Sequence, residues 1–369
     1  MEEFRTDVRV VNLSLLNTDW YIEQMKRKAY ESDPIPSMLP LNKYIQGTND
    51  YLPVVDKLNT SVDVRSLISA IARDEKGLKV PLGNGKLNDF IPSKKLKLKV
   101  KKDEILKNQY LFKDKVLFPT DTARWVDNIE WNLGKNFIYK NDLIMLDILA
   151  NNEDFHRPVC YAITTGTDAY LGLTDYFQLQ GLTYQLIPVK VTKEDGQIGR
   201  VNTEIMYDNL MNKFEWGGLD KYHVYMDENN RRMCMNFRNN FARLAEALIR
   251  EGKKEKAIKV LDRCMEAIPL HNVPVDFFVM PIAEAYYKAG ELQKGDSLMN
   301  LIAEKYLDEM AYYNSLENAG WGKSIQADKQ QAIMILQRLR YMVNSFRKDS
   351  DFAKSIEEKL KYYLTGLLD

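Results

Sequence analysis

The chain is poor in cysteine and histidine, and its formal charges cancel. Three cysteines, Cys160, Cys234 and Cys264, and three histidines occur in 369 residues, without a C-x-x-C or H-E-x-x-H spacing. A disulfide framework and a metal site are therefore not expected, and the cysteines are predicted to be buried free thiols. Fifty-two basic residues balance fifty-two acidic ones. Because a neutral chain lacks long-range attraction for phosphate backbones, no nucleic-acid partner is predicted.

Long apolar runs and catalytic motifs are also missing from the sequence. No segment approaches the roughly 20 apolar residues of a membrane-spanning helix, and the first residues lack a signal-peptide layout. We expect a soluble chain, with any export signal outside it. There is no G-x-S-x-G elbow and no phosphate-binding G-x-x-x-x-G-K-[ST] loop. The sequence therefore predicts no catalytic residue, no metal and no cofactor.

Short β-branched segments alternate with helical ones in the first 200 residues. The predicted strands are Val8–Asn12, Pro158–Ile163 and Thr183–Val191, and the predicted helices include Trp20–Tyr30, Leu143–Ala150 and Thr174–Gln180. This alternation favours a small, mainly parallel sheet covered by helices. We predict an α/β domain with irregular insertions over residues 1–200 and a connecting segment over residues 201–232.

A run of alternating lysines occupies Lys94–Lys102, with Leu and Val between them. The period of two predicts a half-buried strand with a charged outer face. The lysines could form an anion site, but the favoured interpretation is an edge strand protected from pairing with other chains.

Helical periodicity begins at Met233 and indicates tetratricopeptide-like repeats to the end of the chain, over residues 233–369. With Arg238 as position 1 of a 34-residue unit, the positions that need small residues are Ala245 and Ala257, and Gly252 lies at the turn. A second unit begins at Asp276, with Ala283, Gly290 and Gly295 at the same positions. The apolar stripes Ala332–Phe346 and Phe352–Leu364 predict a divergent closing pair.

The inner face of these repeats can be tested for the known clamp on a terminal carboxylate, which uses Lys and Asn at positions 5 and 9. Those positions hold Ala242 and Glu246 in the first unit and Met280 and Glu284 in the second. A chaperone-tail adaptor is therefore disfavoured. Glu246 and Glu284 are kept as candidate binding residues of the repeat groove.

Two polar clusters in the α/β domain are candidate binding residues. Asn17, Asp19 and Trp20 follow the first predicted strand, and Asn141 and Asp142 precede the helix at Leu143. Ligands of open α/β sheets collect outside the carboxyl ends of strands, and polar groups beside aromatic rings suit sugar or peptide contacts. Helix capping explains the same residues without a ligand.

Several segments together resemble one known family. They are Asp7–Ile22, Leu143–Leu149 with Arg157–Val159, Tyr170–Leu173 with Gly181–Pro188, Met211–Gly218, and Asp227–Arg232. They resemble the soluble C-terminal region of large multi-spanning membrane proteins, common in Bacteroidetes, that share an uncharacterised membrane domain with a eukaryotic protein O-mannosyltransferase. The resemblance covers nearly the whole chain.

The resemblance implies a bundle of membrane helices, similar to lipid-linked-sugar glycosyltransferases, preceding a periplasmic part that ends in tetratricopeptide repeats. It places the catalytic acid in a loop of that bundle, so no residue of this chain inherits a catalytic role. We expect a non-catalytic module that holds an acceptor polypeptide, a glycan acceptor or a partner subunit through an α/β platform and a repeat groove. The alternatives are a free-standing carbohydrate-active enzyme acting near Asp19 and Asp142, or a purely structural repeat adaptor.

Overall fold

The computed structural model of the chain describes residues 6–81, 83 and 85–364. It divides into two compact units. The first comprises Met1–Leu179 and Thr183–Arg200, and the second comprises Gln180–Leu182 and Val201–Asp369. Within the described ranges, no helix combines the length and the apolar character needed to cross a membrane.

The first unit is an α/β unit made of short elements. Its helices are α1 (Asp19–Met25), α2 (Val64–Ala72), α3 (Lys102–Asn108), α4 (Tyr110–Lys113) and α5 (Lys140–Ala150). The strands are β1 (Tyr51–Pro53), β2 (Val62–Asp63), β3 (Lys79–Pro81), β4 (Leu87–Asp89), β5 (Lys95–Lys99), β6 (Asn128–Asn132), β7 (Phe137–Tyr139), β8 (Cys160–Ala162), β9 (Phe177–Leu179), β10 (Thr183–Leu186) and β11 (Arg200–Val201). The sheets have the orders β1-β7, β2-β5-β6, β3-β4 and β11-β9-β10-β8.

The sheets are mixed, so the predicted mainly parallel sheet is wrong. Only β2 and β5 run parallel among the strand pairs with a described register, whereas β1–β7, β3–β4, β5–β6, β8–β10 and β9–β10 are antiparallel. The predicted helix Thr174–Gln180 is confirmed only at its start, where Leu173–Tyr176 forms a short 3-10 helix, and strand β9 follows it. The three residues between β9 and β10 suffice for a hairpin, whereas a parallel connection needs a crossover of a dozen residues or more.

The predicted first strand, Val8–Asn12, is also wrong. This described stretch forms no strand, and the side chains of Val8 and Val10 are 50% and 82% exposed. Asn12 instead starts a turn, because its side-chain oxygen accepts hydrogen bonds from the amides of Ser14 and Leu15. β-branched residues predict a strand only where a neighbouring surface covers them, and here nothing covers Val10.

Strand β5 confirms the half-buried pattern of the lysine run. Leu96 and Leu98 are buried and Lys95 and Lys99 are exposed. The strand lies between β2 and β6, so the edge-strand interpretation is wrong. The central lysine of this face has acidic neighbours, since Lys97 lies opposite Glu130 on β6 and Asp63 on β2. Lys95 and Lys99 lie opposite Asn132 and Asn128.

A buried ion pair joins distant parts of the first unit. Asp121 is 1% exposed, and Arg200 contacts its two carboxylate oxygens at 2.7 and 2.8 Å. The Arg200 Nε donates to Gln178 Oε1 at 2.8 Å. Burial alone would raise the pKa of Asp121, but the hydrogen bonds from Arg200 and from the Phe118 amide lower it to about 2.

We predict that this pair makes the stability of the first unit acid-sensitive. Because the pKa of Asp121 is about 2 when folded and near 4 when unfolded, its contribution is full above roughly pH 4. It is lost as the pH falls from about 4 to about 2. Asp121→Asn should lower the free energy of unfolding at pH 7 by roughly 2 kcal/mol and flatten this acid dependence. Urea titrations at several pH values measure both effects, and parallel acid profiles for the two proteins would contradict the assignment.

The second unit is all-helical where the structure describes it. Its helices are α6 (Thr203–Asp208), α7 (Glu228–Arg250), α8 (Lys254–Ala267), α9 (Met280–Ala289), α10 (Leu292–Leu316), α11 (Gly322–Arg347) and α12 (Asp351–Leu364). Helix α7 packs on α8 and α9, α9 on α10, and α11 on α10 and α12. The short turns after α7 and α9 contain Gly252 and Gly290 with φ of +77° and +102°, a backbone conformation that favours glycine.

The small residues singled out in the sequence lie at helix contacts. Ala245, Ala257 and Ala283 are fully buried, and a Cβ at Gly295 would collide with the ring of Tyr287. The stripe from Ala332 to Met342 is buried on α11, whereas the side chain of Leu364 lies outside the described residues. Cys234 and Cys264 are buried free thiols as predicted, but Cys160 is exposed.

Candidate binding surfaces

The two polar clusters of the first unit come together in the structure. Asn17 ends a single helical turn ahead of α1, and Asn141 lies in the first turn of α5. The Asn141 amide donates a hydrogen bond to Asn17 Oδ1 at 3.2 Å, across 124 positions of sequence. One side chain of the first cluster therefore caps the helix that carries the second.

Asp19 is half-buried and faces a third segment. Its Oδ1 accepts a hydrogen bond from the Trp20 amide at 2.8 Å, and its Oδ2 accepts one from the Gln46 amide at 3.4 Å. The carboxylate thus orders the start of α1 and contacts the turn around Gln46, which the sequence does not predict.

Asp142 is occupied by capping contacts. Its side chain is 3% exposed, accepts a hydrogen bond from the Tyr139 amide at 3.1 Å and pairs with Lys135 Nζ at 3.0 Å. Next to it, Lys140 is 2% exposed, pairs with Asp50 at 2.7 Å and donates to the Ile45 carbonyl at 3.4 Å. Both charges are matched internally, so the groups left for a ligand are their neutral neighbours.

Exposed aromatic rings lie on the strand pair β1–β7, and β7 leads directly into α5. Leu52 and Ile138 face the core from β1 and β7, while Tyr51, Phe137 and Tyr139 point outward and are 45%, 47% and 52% exposed. Tyr51 lies opposite Tyr139 in the ladder, and the rings of Phe137 and Tyr139 meet edge to face at 5.3 Å. Sequence reasoning missed these three residues, although each short strand alternates aromatic and aliphatic side chains.

Trp20 is 56% exposed. It lies three residues after Asn17 in the sequence, and Tyr139 lies two residues before Asn141. We call these exposed rings, with the two asparagines linked by a hydrogen bond, the aromatic–amide patch. It consists of Asn17, Trp20, Tyr51, Phe137, Tyr139 and Asn141. The patch combines partly exposed aromatic rings, a side-chain type enriched where proteins contact partners, with two amide groups.

A buried carboxylate holds the segment that supports the patch. Asp147 is fully buried on α5 and accepts hydrogen bonds from the Met38 amide at 2.7 Å, the Leu39 amide at 3.0 Å and the Tyr44 hydroxyl at 3.0 Å. The Ser37 hydroxyl is a further donor. Burial, together with Asp147, raises the pKa of Tyr44 well above its ordinary value. Because Ile45 and Gln46 follow Tyr44 directly, Asp147 positions the turn that contacts Lys140 and Asp19.

In the second unit, Glu246 and Glu284 share one cation. Lys288 Nζ lies 2.8 Å from a carboxylate oxygen of each. Burial works to lower the pKa of Lys288, but the two carboxylates outweigh it and the pKa is raised. The structure therefore brings both sequence-predicted groove residues together, as an internal link between α7 and α9.

An apolar groove of about 230 Å³ lies between α9 and α11. It is lined by Phe277, Met280, Gln331, Met334, Ile335 and Arg338. Met280 is at position 5 of the predicted repeat that begins at Asp276. The groove therefore includes a position that the clamp on a terminal carboxylate would use. In the part of the chain that the structure describes, no three His, Cys, Asp or Glu side chains converge as metal ligands.

Together these features define a two-unit chain, with an α/β unit of mixed sheets and an all-helical unit. The family of TMEM260-associated domain 2 matches residues 1–205, and the chain belongs to this family. Membership links it to TMEM260-related proteins, which are O-mannosyltransferase-like. No curated protein and no solved structure matches the chain.

Proposed function

We propose that the chain is a binding module of a glycosyltransferase-like protein and holds an acceptor polypeptide on the aromatic–amide patch. The observation that carries this proposal is the exposure of Trp20, Tyr51 and Tyr139, together with the Asn141–Asn17 hydrogen bond that joins the segments carrying Trp20 and Tyr139. Exposed Trp and Tyr side chains supply much of the energy of protein interfaces, and amide groups at their edge fix the register of a bound chain.

Trp20→Ala and Tyr139→Ala are predicted to abolish much of this binding. Peptides selected by the purified chain from a displayed library of random 12-residue sequences should include a class that each substitution weakens at least tenfold, the size expected for an aromatic hot spot. Both side chains are half exposed, so folding should be unchanged. Biolayer interferometry with the selected peptides measures the dissociation constants.

The matched control is Tyr30→Ala, because Tyr30 is 87% exposed in the same unit but outside the patch. It should leave peptide binding unchanged. Equal effects of all three substitutions, or none from Trp20→Ala and Tyr139→Ala, would refute the polypeptide-binding role. Binding of oligosaccharides alone would instead identify a glycan as the ligand of the patch.

The helical unit contributes a second surface as a tetratricopeptide-like array. Burial of Ala245 and Ala257 between neighbouring helices supports this assignment, as does Gly252 at the turn between α7 and α8. Helices α7, α9 and α11 would then line the inner face, where the groove at Met280 lies. Helix α10 has 25 residues, whereas α8, its counterpart in the first predicted repeat, has 14. The predicted repeat that begins at Asp276 therefore departs from a regular 34-residue unit.

Family membership and the sequence resemblance support attachment of this module to a membrane domain on the periplasmic side. The coding DNA upstream of Met1 should then encode several in-frame apolar segments of roughly 20 residues. A stop codon in frame immediately upstream would remove that attachment. A carbohydrate-active enzyme acting through Asp19 and Asp142 is less well supported, because the Asp142 carboxylate is buried against Lys135 and the Tyr139 amide.

A further inference from the structure

The groove of the helical unit has an apolar floor and a polar rim. Met280 and Ile335 are 2% and 9% exposed at its base, while Phe277 and Met334 are 37% and 60% exposed along its sides. Gln331 and Arg338 are exposed and complete the lining. Methionine side chains adapt to differently shaped apolar partners, so two of them in one groove favour a side chain that enters from outside.

The groove has one lining residue with a charged side chain, Arg338 on α11. Arg340 and Arg347, on the same helix α11, pair with Glu357 at 2.7 Å and with Asp296 at 2.9 Å. The guanidinium of Arg338 has no hydrogen bond or ion pair with any residue in the ranges 6–81, 83 and 85–364. It therefore presents its guanidinium to solvent beside apolar surface, where a carboxylate would be bound by parallel hydrogen bonds.

The acidic residue of α9, Glu284, does not pair with Arg338. Glu284 lies one turn along α9 from Met280, but its carboxylate is held by Lys288 at 2.8 Å. Glu246 is held by the same lysine. With these two acids held by Lys288, Arg338 is the one charged side chain among the six residues that line the groove, and it disfavours a basic ligand.

We propose that this groove binds an acidic–apolar peptide segment, with a large apolar side chain over Met280 and Ile335 and a nearby carboxylate on Arg338. The inference rests on the proposed function in one respect, that the helical unit contributes a groove to a binding module. It deepens that function by specifying the chemistry of the partner segment. The missing Lys and Asn of the carboxylate clamp are thus replaced by one arginine contributed by α11.

The displayed library of random 12-residue peptides also tests this inference. A class of selected peptides should be enriched in Asp or Glu near Leu, Ile, Phe or Met. For this class, Arg338→Glu should raise the dissociation constant at least tenfold. Changing the peptide's acid to its amide should have a similar effect, and both effects should shrink at high salt.

The matched control is Lys348→Glu, which makes the same charge change at an exposed residue just beyond α11. It lies ten residues from Arg338, roughly 15 Å along a helix, and should leave binding unchanged. Circular dichroism checks that both variants fold. Acidic–apolar peptides that bind Arg338→Glu as tightly as the unaltered chain would overturn the inference. A selection without acidic enrichment would overturn it as well.

The outcomes separate this inference from the proposed function. A selection in which Trp20→Ala weakens some peptides but Arg338→Glu weakens none would overturn the groove assignment alone. A selection in which Arg338→Glu weakens some peptides but Trp20→Ala weakens none would support the groove while refuting the patch. A dimer of the chain, detected by light scattering and broken by Arg338→Glu, would overturn the peptide assignment in favour of a second copy as the occupant.

Discussion

Arg238→Met is expected to lower the free energy of unfolding of the helical unit by about 3–5 kcal/mol, the cost of breaking a buried charged network by removing one partner. Arg238 is fully buried on α7. Its guanidinium donates to the carbonyls of Val273 at 2.5 Å, Ile268 at 3.1 Å and Pro274 at 3.1 Å. Methionine fills similar space, so the loss reports the missing donors rather than a cavity.

The same substitution removes the cation beside a buried carboxylate, that of Asp276. Asp276 lies 3.5 Å from Arg238, and burial raises the pKa of Asp276 while Arg238 works against that rise. Without the arginine, the pKa of Asp276 should rise further. The segment 268–276, which connects α8 to α9, would lose the cation that holds its carbonyl groups, so hydrogen exchange should increase there first.

The control for Arg238→Met is Arg232→Met on the same helix. Arg232 is 66% exposed and pairs with Glu228 at the i,i+4 spacing, so its loss should cost about 0.5 kcal/mol or less. Urea titration followed by circular dichroism measures both variants. Equal stability of the two would contradict the role assigned to Arg238.

Asp147→Asn is expected to destabilise the α/β unit by roughly 3 kcal/mol or more, because several donors to a buried carboxylate lose a charged acceptor. The asparagine keeps the size of the side chain but places an NH2 group among the amides of Met38 and Leu39 and the Tyr44 hydroxyl. Two groups that both donate cannot satisfy each other, so the segment 37–44 should detach from α5.

The consequence for the patch distinguishes this variant from a general loss of stability. Release of Tyr44 should free the Gln46 amide from Asp19 and the Ile45 carbonyl from Lys140. Hydrogen exchange should therefore increase at residues 37–46 before the rest of the unit opens. Asp33→Asn, at an exposed position ahead of the same segment, should change stability by less than about 0.5 kcal/mol. Unchanged exchange at 37–46 in Asp147→Asn would contradict the assigned role.

Periodicity in the sequence correctly predicted helices and strands whose apolar pattern is set within the segment itself. The helix at Leu143–Ala150 is confirmed as part of α5, and the buried leucines of β5 are confirmed by their alternation with lysine. The direction of the strands could not be predicted, because pairing depends on contacts between distant segments. Val8–Asn12 failed for the same reason, since burial by another segment decides whether a β-branched run forms a strand.

The supporting charges of the candidate surfaces could not be found from the sequence. Asp147 stands inside an apolar helical pattern, and its donors lie more than 100 positions away. Arg238 marked only the start of a repeat unit, and nothing in its neighbours indicates complete burial. Asn17 and Asn141 were selected from the sequence, and the hydrogen bond between them shows that they lie together. Tyr51, Phe137 and Tyr139 were missed because strands of three residues carry little periodicity.

The most direct test of the binding role is photo-crosslinking in cells that make the full-length protein. Benzoylphenylalanine at position 20 or 137 lies in the aromatic–amide patch, and at position 30 it lies on an exposed tyrosine outside it. The proposed function predicts adducts with a polypeptide at positions 20 and 137 and none at position 30. Adducts of equal yield at all three positions, or none at 20 and 137, would contradict it.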